Sequence, residues 1–309
     1  MRRRSKGTMT QKSDRKRTPA RTAEAMVGGV TLSHPDRVFW EDAGVSKRDL
    51  AEFYAGIWEW MRPHVTGRPI SLLRCPDGAA GQCFFQKHAA AGIAIEHLHL
   101  VAEKGDKIIS IDDLDGLISL VQAGGLEIHT RGTTIDDRER ADRLVFDLDP
   151  GPGTGWKDVV AAARDVHERL AKLKLKSFLK TSGGKGLHVV LPIKPTPWNA
   201  AKDFAQAIAN RMTADDPGRY TATATKSKRN KRIFIDYLRN SREATAVAPY
   251  STRARPGAPV STPIDWSELG MLKSANQYTV LNLPARLKRL RKDPWATIAS
   301  VKQSLPKFK

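Results

Sequence analysis

Hydrophobic and polar positions in residues 29–140 follow a mixture of helical and strand-like spacings. Large apolar residues lie three or four positions apart from Leu50 to Met61, after Ser46, whose hydroxyl is suited to an N-cap. This spacing predicts a helix, and a second helix is predicted at 114–123. Short apolar or alternating runs predict strands at 30–32, 69–75, 92–99 and 126–129.

The pattern becomes more regular from residue 143 onward. Apolar side chains recur at helical spacing in 156–173 and 199–212, and apolar runs of strand length lie around these helices. The predicted strands are 143–148, 177–181, 187–193 and 232–238, and residues 220–225 are compatible with one more. The resulting order, β-α-β-β-α-β, is that of a split unit of the ferredoxin or RNA-recognition (RRM) type.

These elements predict a mixed α+β chain in which an RRM-like catalytic half packs on an N-terminal α/β half. We expect the folded domain to span residues 29–300. Its three parts are an N-terminal half at 29–140, the RRM-like half at 141–255, and a segment at 256–300 that returns to the core. Residues 1–28 are expected to form a disordered basic arm, because they contain almost no large apolar groups. Residues 301–309 are expected to form a basic tail.

The charge of the chain favours a nucleic-acid partner. Its 309 residues include 52 Lys and Arg against 33 Asp and Glu, a formal net charge of +19, and the isoelectric point is near 10.1. Residues 1–28 hold nine basic and two acidic residues, so they carry +7 and the rest of the chain carries +12. An excess this large outside the arm favours a polyanion such as DNA over a merely solvated surface.

The two cysteines and the apolar runs indicate the compartment. Cys75 and Cys83 have no second pair of ligands nearby, so the sequence predicts neither a zinc site nor a disulfide framework. We expect both to be ordinary, partly buried thiols in a reducing compartment. No apolar run is long enough to cross a bilayer and no signal-peptide pattern is visible, so we expect a cytoplasmic protein without a membrane partner.

Three acidic residues are candidate metal ligands. Asp147 and Asp149 are alternate residues of a predicted strand, so they would project from the same face. A lone Asp-x-Asp could simply open the following turn, but the preceding apolar residues 144–146 predict an interior strand. Asp236 interrupts the last predicted strand, which lies next to the first in a split β-α-β unit. The sequence therefore predicts three convergent carboxylates, a donor set suited to Mg²⁺ or Mn²⁺.

A glycine-rich segment at 181–188 is the candidate phosphate-binding element. Its glycines would let backbone N–H groups approach an anion closely, although an ordinary hairpin turn is the alternative and the spacing of a P-loop is absent. Basic residues in two later loops are expected to lie near the same edge. The predicted triphosphate-binding residues are Ser182, Lys185, His188, Lys226, Arg229 and Arg253.

These segments resemble a known family. Asp147-Leu-Asp149, the stretch 182–188 and Asp236 are similar to the three signature motifs of the archaeo-eukaryotic primase superfamily. Further short motifs, in the same order, resemble the polymerase domain of bacterial ligase D over about residues 29–300. These motifs lie at 32–39, 67–69, 74–78, 84–87, 126–129 and 248–251.

The resemblance implies a template-directed DNA repair polymerase that adds ribonucleotides or deoxyribonucleotides at gaps and breaks. It implies two Mn²⁺ or Mg²⁺ ions, and action in bacterial non-homologous end joining at the nucleoid. The expected partners are gapped or broken double-stranded DNA with a 5′-phosphate, Ku and a DNA ligase. No Lys-x-Asp-Gly nucleotidylation motif is present, so ligase activity is not expected of this chain, which is either a stand-alone polymerase or part of a longer protein.

The resemblance also implies roles for individual residues. Asp147, Asp149 and Asp236 would be the catalytic metal ligands, and His129 would lie near the sugar of the nucleotide. The residues that would hold the triphosphate by matching position are Ser182, Lys185, His188, Arg229 and Arg253. Arg37 and Lys47 match residues that grip a 5′-phosphate, with Arg37 where some relatives carry Lys. The remaining DNA-binding candidates are Arg74, Phe84, Phe85 and Lys87; the two phenylalanines would stack on DNA, with core packing as the alternative for Phe84.

Two other functions are compatible with parts of this pattern. A glycosyltransferase could use an Asp-x-Asp motif to bind a nucleotide sugar through one metal, but it explains neither the +12 charge nor the third acid. A non-catalytic module that bridges DNA ends would make the acids structural. Only a polymerase lengthens a primer, so nucleotide incorporation on gapped DNA distinguishes the three.

Overall fold

The computed structural model describes residues 25–89 and 93–306. The first part of the chain contains β1 (Ala25–Val27), β2 (Val30–Leu32), β3 (Val38–Trp40), β4 (Val45–Ser46), α1 (Lys47–Val65), β5 (Ile70–Arg74), β6 (Phe84–Gln86), β7 (His99–Glu103), β8 (Asp106–Ser110), α2 (Leu114–Gln122) and β9 (Gly125–Arg131). The second part contains β10 (Arg140–Pro150), α3 (Trp156–Lys172), β11 (Phe178–Thr181), β12 (Leu187–Pro197), α4 (Trp198–Asp215), β13 (Tyr220–Thr221), β14 (Ile233–Asp236), β15 (Thr245–Val247), β16 (Pro263–Ile264) and α5 (Leu283–Arg289). Among the described residues, no helix combines the length and the apolar character needed to traverse a bilayer.

Two six-stranded sheets organise the fold. The C-terminal sheet has the strand order β13-β14-β10-β12-β11-β16, and the N-terminal sheet has the order β15-β9-β5-β8-β7 with β6 paired to β5. The predicted order β-α-β-β-α-β is observed from β10 to β14 with one added strand, the short β13 within the optional strand at 220–225, and β14 pairs with β10 as expected. The mixed helix and sheet architecture is therefore confirmed.

The C-terminal sheet packs one face against α3 and α4, and its other face carries both the acidic residues and a small buried cluster in which Val145 and Val190 pack with Trp295. On β10, Leu144, Phe146 and Leu148 are fully buried in a core that both helices share. Burial of each such side chain stabilises the fold by about 1.5–3 kcal/mol. Because strand residues alternate, Asp147 and Asp149 project from the opposite face.

Helix α1 begins where its sequence predicts. Ser46 is its N-cap: the Asp49 backbone N–H donates to Ser46 Oγ (3.2 Å), and the Ser46 backbone N–H donates to Asp49 Oδ2 (2.7 Å). This reciprocal capping box satisfies donors that the first turn of a helix leaves unpaired. The apolar face that follows, which includes Leu50 and Ile57, packs in the core of the N-terminal half.

One predicted strand is wrong. Residues 93–98 form bends and turns, residue 92 lies outside the described residues, and β7 begins at His99. The alternation of apolar residues predicted a strand with Ile93 and Ile95 on one buried face, but Ile93 is buried whereas Ile95 is 53% exposed. The actual strand pairs with β8 in a hairpin whose turn is formed by Lys104 and Gly105, both at positive φ.

The structure also corrects predicted boundaries. Residues 1–24 of the predicted basic arm lie outside the described residues. Residues 25–27 of the same predicted arm form β1, which pairs with β2, so the folded domain includes residues before 29. Strand β15, assigned by sequence to the RRM-like half, pairs with β9 of the N-terminal sheet. The first part of the predicted tail packs on the domain, because Gln303 Nε2 donates to the Lys176 and Pro192 carbonyls. The last residues of that tail, 307–309, lie outside the described residues.

The prediction for the cysteines is wrong as well, because Cys75 and Cys83 form a disulfide with Cα atoms 4.3 Å apart. The reason is the β5–β6 hairpin, in which Arg74 lies opposite Phe84, so the residues that follow and precede this pair meet across the loop. Spacing along the chain does not show this hairpin. The disulfide closes the loop that leads into the two exposed phenylalanines of β6.

Candidate active site

Three carboxylates converge on the face of the C-terminal sheet that lies opposite α3 and α4. Asp147 on β10 is the direct cross-strand partner of Asp236 on β14, and Asp149 lies two residues further along β10. One oxygen from each carboxylate lies within 4.8 Å of the others. The close approach follows from antiparallel pairing, which places directly opposed side chains on one face.

The electrostatics of this triad favour a cation. Burial and the charge of Asp147 raise the pKa of Asp149 to about 6, and burial also raises the pKa of Asp236. Burial would raise the pKa of Asp147 too, but His188 and Arg239 outweigh it and hold that pKa well below its usual range. Repulsion among three adjacent carboxylates prevents all three from being ionised together unless a positive charge lies between them. The hard oxygen donors fit Mg²⁺ or Mn²⁺.

The glycine-rich turn between β11 and β12 lies against the acids. Ser182 Oγ accepts hydrogen bonds from the Gly184 and Gly186 N–H groups, both at 3.2 Å. A side chain at Gly186 would place its Cβ only 2.1 Å from the Leu148 carbonyl oxygen, between the two acids of β10. Glycine is therefore required there for the turn to approach the acidic strand.

A single cleft of about 470 Å³ collects the predicted site. All seven residues assigned to nucleotide binding from sequence line it, together with two of the acids. These residues are His129, Ser182, Lys185, His188, Lys226, Arg229, Arg253, Asp147 and Asp149. Asp236 lines an adjoining cavity of about 250 Å³ with Phe85 and Lys87. A cation site and a concentration of positive side chains in one cleft are suited to a polyphosphate.

Comparison with known protein families shows to which family the chain belongs. A family model described as "LigD, primase-polymerase domain" matches residues 46–295. The chain belongs to the LigD primase-polymerase family. Membership identifies it as a nucleotidyltransferase domain of the polymerase type.

Curated LigD proteins are similar over most of this chain. It is 41% identical over 297 residues to the multifunctional non-homologous end joining protein LigD of Pseudomonas aeruginosa, covering 94% of this chain and 35% of that protein. The identity to the corresponding LigD of Mycobacterium tuberculosis is 35% over 252 residues, covering 78% of this chain and 33% of that protein. The chain thus spans about a third of the length of these relatives.

A solved LigD structure has the same fold. The polymerase domain from Mycobacterium tuberculosis ligase D, in complex with DNA, superimposes with a TM-score of 0.80 at 32% identity. The match covers 88% of this chain and 98% of that structure.

The predicted DNA-binding residues at the β5–β6 hairpin differ in exposure. Phe84 and Phe85 on β6 are 44% and 45% exposed, so Phe84 is not a core residue. Lys87 follows them and lines the same cavity as Asp236. Arg74 is buried instead: its guanidinium donates to the Ala123 carbonyl and to Gln86 Oε1, both at 2.8 Å. Its contacts stabilise the β5–β6 hairpin, and its ring neighbour is Phe84, 5.4 Å from the guanidinium carbon to the centroid.

Arg37 and Lys47 form a separate basic pair. Arg37 Nη1 donates to the Pro76 carbonyl (2.8 Å) and lies 3.5 Å from Asp77. The Lys47 ammonium donates to the Ser33 carbonyl (2.8 Å) and contacts Gln122 Oε1 (3.3 Å). Burial, with a smaller effect from Arg37, lowers the pKa of Lys47 to about 8.

Sequence reasoning missed several charged residues of the site, among them Arg239, Glu127 and Arg255, the last of which also lines the cleft. Arg239 follows β14, and its Nε lies 3.2 Å from Asp147 Oδ2 and 3.3 Å from Asp236 Oδ2. Glu127 is 4% exposed and bonds to both His129 and Arg253. The signal for Glu127 was present, because it is the alternate residue to His129 on β9 and shares its face. The role of Arg239 depends on the turn after β14, which the sequence does not specify.

Proposed function

We propose that this chain is a template-dependent DNA repair polymerase that adds ribonucleotides or deoxyribonucleotides at gaps and breaks during bacterial non-homologous end joining. The observation that carries the proposal is the placement of Asp147, Asp149 and Asp236 beside the glycine-rich turn in one basic cleft. Chemistry that joins a hydroxyl to a nucleoside triphosphate needs both features, a metal-binding acid cluster and a phosphate-binding surface.

The acids would hold two Mn²⁺ or Mg²⁺ ions. Such a pair supplies activation of the primer 3′-hydroxyl and stabilisation of the departing pyrophosphate. His188 Nε2, 3.3 Å from Asp147 Oδ1, and Arg239 orient the carboxylates of the triad. Burial of Asp147 and Asp236 keeps bulk water from competing for these oxygens.

The triphosphate would lie along the other side of the cleft. The Lys185 ammonium and the Lys226 and Arg229 side chains supply positive charge for its oxygens. Arg253 Nη1 donates to the Ser182 carbonyl at 2.7 Å, which fixes the glycine-rich turn relative to the N-terminal sheet. These cations stabilise the charge of the leaving pyrophosphate in a partly enclosed site.

DNA would approach over the exposed aromatic residues of β6. Phe84 and Phe85 offer rings on which bases or the end of a duplex can stack. We propose that Arg37 and Lys47 take the 5′-phosphate on the far side of the gap, because the exposed Arg37 lies near enough to the buried Lys47, which is 5% exposed, for the two positive charges to act on one anion. The adjoining cavity with Lys87 and Asp236 would receive the primer end.

The cellular context follows from the relatives rather than from the site. The curated relatives are named as end-joining proteins. We propose that this chain acts at the bacterial nucleoid with Ku and with a DNA ligase activity supplied elsewhere in the same or another protein.

Primer extension tests this function. The substrate is a gapped duplex with a labelled primer and a 5′-phosphate, supplied with ribo- or deoxyribonucleotides and with Mn²⁺ or Mg²⁺. We expect extension by the nucleotide that complements the template. Tight binding to the gapped duplex without any extension would instead support a non-catalytic end-bridging module, and would overturn the polymerase proposal.

A further inference from the structure

A separate cavity lies near the other end of the strand that carries the two alternate acids. Its volume is about 280 Å³, and residues of α1, β10, β12 and the C-terminal segment at 298–302 line it. Arg143 is one of them and lies four positions before Asp147, roughly 13 Å along the strand. Val145, between them on the same face, is buried against Trp295. No described residue lines both this cavity and the nucleotide cleft.

The acidic side chains of this cavity are already paired with arginines. Arg68 donates to both carboxylate oxygens of Asp142, at 2.9 and 2.7 Å. Arg140 Nε donates to Asp137 Oδ2 at 2.7 Å. Asp137 and Asp142 are the only acids among the described lining residues. Each acid is thus matched by one cation.

The two remaining cations of the cavity are not matched. The Arg143 guanidinium and the Lys302 ammonium form no hydrogen bond or ion pair with any residue that the structure describes. Arg143 is partly buried, and Lys302 is exposed. Burial, and then the charge of Arg68, lower the pKa of Arg143 to about 9, and Asp142 offsets this only in part. Arg143 is therefore charged at physiological pH in surroundings that disfavour its charge.

The excess of positive charge extends into the core beside the cavity. His64 of α1 is 1% exposed, and neither ring nitrogen has a hydrogen-bond partner among the described residues. Burial, and then the charges of Arg143, Arg68 and Lys180, hold the pKa of this imidazole well below its usual range. The ring is neutral, so it adds no negative charge to balance these cations. An anion in the cavity would be attracted by all of them.

The size and charge of the cavity select the class of anion. Its 280 Å³ is below the roughly 300–1,000 Å³ of sites that enclose drug-sized ligands, so it suits a small ion better than a nucleoside triphosphate. Two unmatched cations balance a doubly charged ion. A planar guanidinium pairs with phosphate oxygens through two parallel hydrogen bonds. Apolar lining residues such as Ile193 and Ile298 reduce the screening of this attraction by water.

We propose that Arg143 and Lys302 bind a small phosphate-type oxyanion, orthophosphate or pyrophosphate, in this cavity. Arg143 supplies a pair of donors from β10, and Lys302 supplies the second charge from the C-terminal segment. The bound ion ties residues 298–302 to β10 and stabilises the folded domain. Such a site goes beyond the polymerase function and does not depend on it.

Thermal unfolding and equilibrium dialysis of the whole chain, without metal, test this site. Sodium phosphate and sodium pyrophosphate are each compared with sodium chloride at equal ionic strength, so that general screening is the same. A ligand that binds only the folded state stabilises it, so we expect a higher Tm with the phosphates than with chloride. Dialysis with phosphorus-32 label measures the affinity of each ion. The tighter ligand identifies the source, either free phosphate or the pyrophosphate released by nucleotide addition.

Variants separate this cavity from the other basic sites. Because the nucleotide cleft and the proposed 5′-phosphate site also attract phosphate, all proteins carry Lys47→Ala and Lys185→Ala. In that background, Arg143→Met should weaken binding about tenfold or more and lose most of the rise in Tm. Lys172→Met removes an equal charge from the exposed end of α3 and is the matched control. It should keep both the binding and the rise.

A purely structural role of Arg143 gives a different result. Methionine keeps much of the side-chain length and removes a charge that the described residues leave unpaired, so Arg143→Met should not lower the Tm in chloride. An equal fall of the Tm in chloride and in phosphate would show that Arg143 serves the fold alone, and would overturn the proposed site.

Lys302→Met provides a second, independent test. Lys302 is exposed, so its replacement leaves the fold intact even if Arg143→Met does not fold. We expect phosphate binding to weaken several-fold. Unchanged binding in Lys302→Met and Arg143→Met, or equal stabilisation of the parent protein by phosphate, pyrophosphate and chloride, would each overturn the site.

Discussion

Asp236 lies directly opposite Asp147 on the neighbouring antiparallel strand, and the Arg239 guanidinium bridges the two carboxylates at 3.3 and 3.2 Å. The two acids belong to segments that are far apart in the chain. Their pairing places two like charges on one face of the sheet, which is unfavourable unless positive charge is nearby. Arg239 supplies part of that charge, and a bound divalent cation would supply the rest.

Removal of one acid should abolish chemistry without abolishing DNA binding. Asp147→Asn keeps the size of the side chain but removes its charge, so we expect nucleotide addition to fall by roughly three orders of magnitude or more. The affinity for gapped DNA should change by less than about threefold. Asp203→Asn, at an exposed site on α4, is the control and should match the wild type. Extension at a near wild-type rate with Mn²⁺ would show that Asp147 is not a metal ligand.

Arg239→Gln should change metal affinity directly. The substitution removes a positive charge that lies on two of the three acids, so we expect Mn²⁺ to bind several-fold more tightly in the absence of nucleotide. Electron paramagnetic resonance titration of free Mn²⁺ measures this constant without any turnover. Arg239→Lys keeps the charge and should resemble the wild type. Weaker binding in Arg239→Gln would mean that Arg239 mainly holds the carboxylates in place.

Gly186→Ala tests the close approach of the glycine-rich turn to β10. Its Cβ would lie 2.1 Å from the Leu148 carbonyl oxygen, so the turn or the strand must move. We expect a loss of stability of about 1–3 kcal/mol and a large loss of extension activity. Thermal unfolding and primer extension measure the two effects. Gly56→Ala in α1 is the matched control, since nothing lies within 4 Å of its Cβ, and it should not destabilise the protein.

Lys47→Ala tests the 5′-phosphate site. We expect the preference for a 5′-phosphorylated gap over an unphosphorylated one to disappear. The salt dependence of binding should weaken by roughly one phosphate contact. Lys157→Ala, on the exposed side of α3, is the control and should retain the preference. If the unmodified protein binds both gaps equally, Lys47 has no such role.

The preference for a 5′-phosphate should also depend on pH. Because the pKa of Lys47 is lowered to about 8, its ammonium is fully charged only well below that value. We therefore expect the preference to be complete near pH 7 and to decline as pH rises through 8 and above, with a bound phosphate shifting the midpoint upward. Fluorescence anisotropy with the two gapped duplexes measures it. A preference that stays constant up to pH 10 would contradict this assignment.

Most of the fold follows from local periodicity. The apolar spacing of α1, α3 and α4, and the apolar runs of β10, β12 and β14, identified these elements because each buries one face in a core. The error at 92–99 arose where residues of a loop imitate strand alternation. The pairing of β15 with β9 joins segments that are distant in the sequence. The β7–β8 hairpin and the Cys75–Cys83 disulfide depend instead on how the chain turns back on itself, which residue spacing does not show.

The sequence by itself determined the types of functional group: two alternate acids, a third acid on a later strand, and a glycine-rich turn with basic residues. These follow from residue identity and from the two-residue period of a strand. Only the tertiary structure decided that Glu127 joins His129 to Arg253 and that Arg239 spans Asp147 and Asp236. Such pairs form between separate segments, and their geometry depends on how the two sheets pack, which no local spacing encodes.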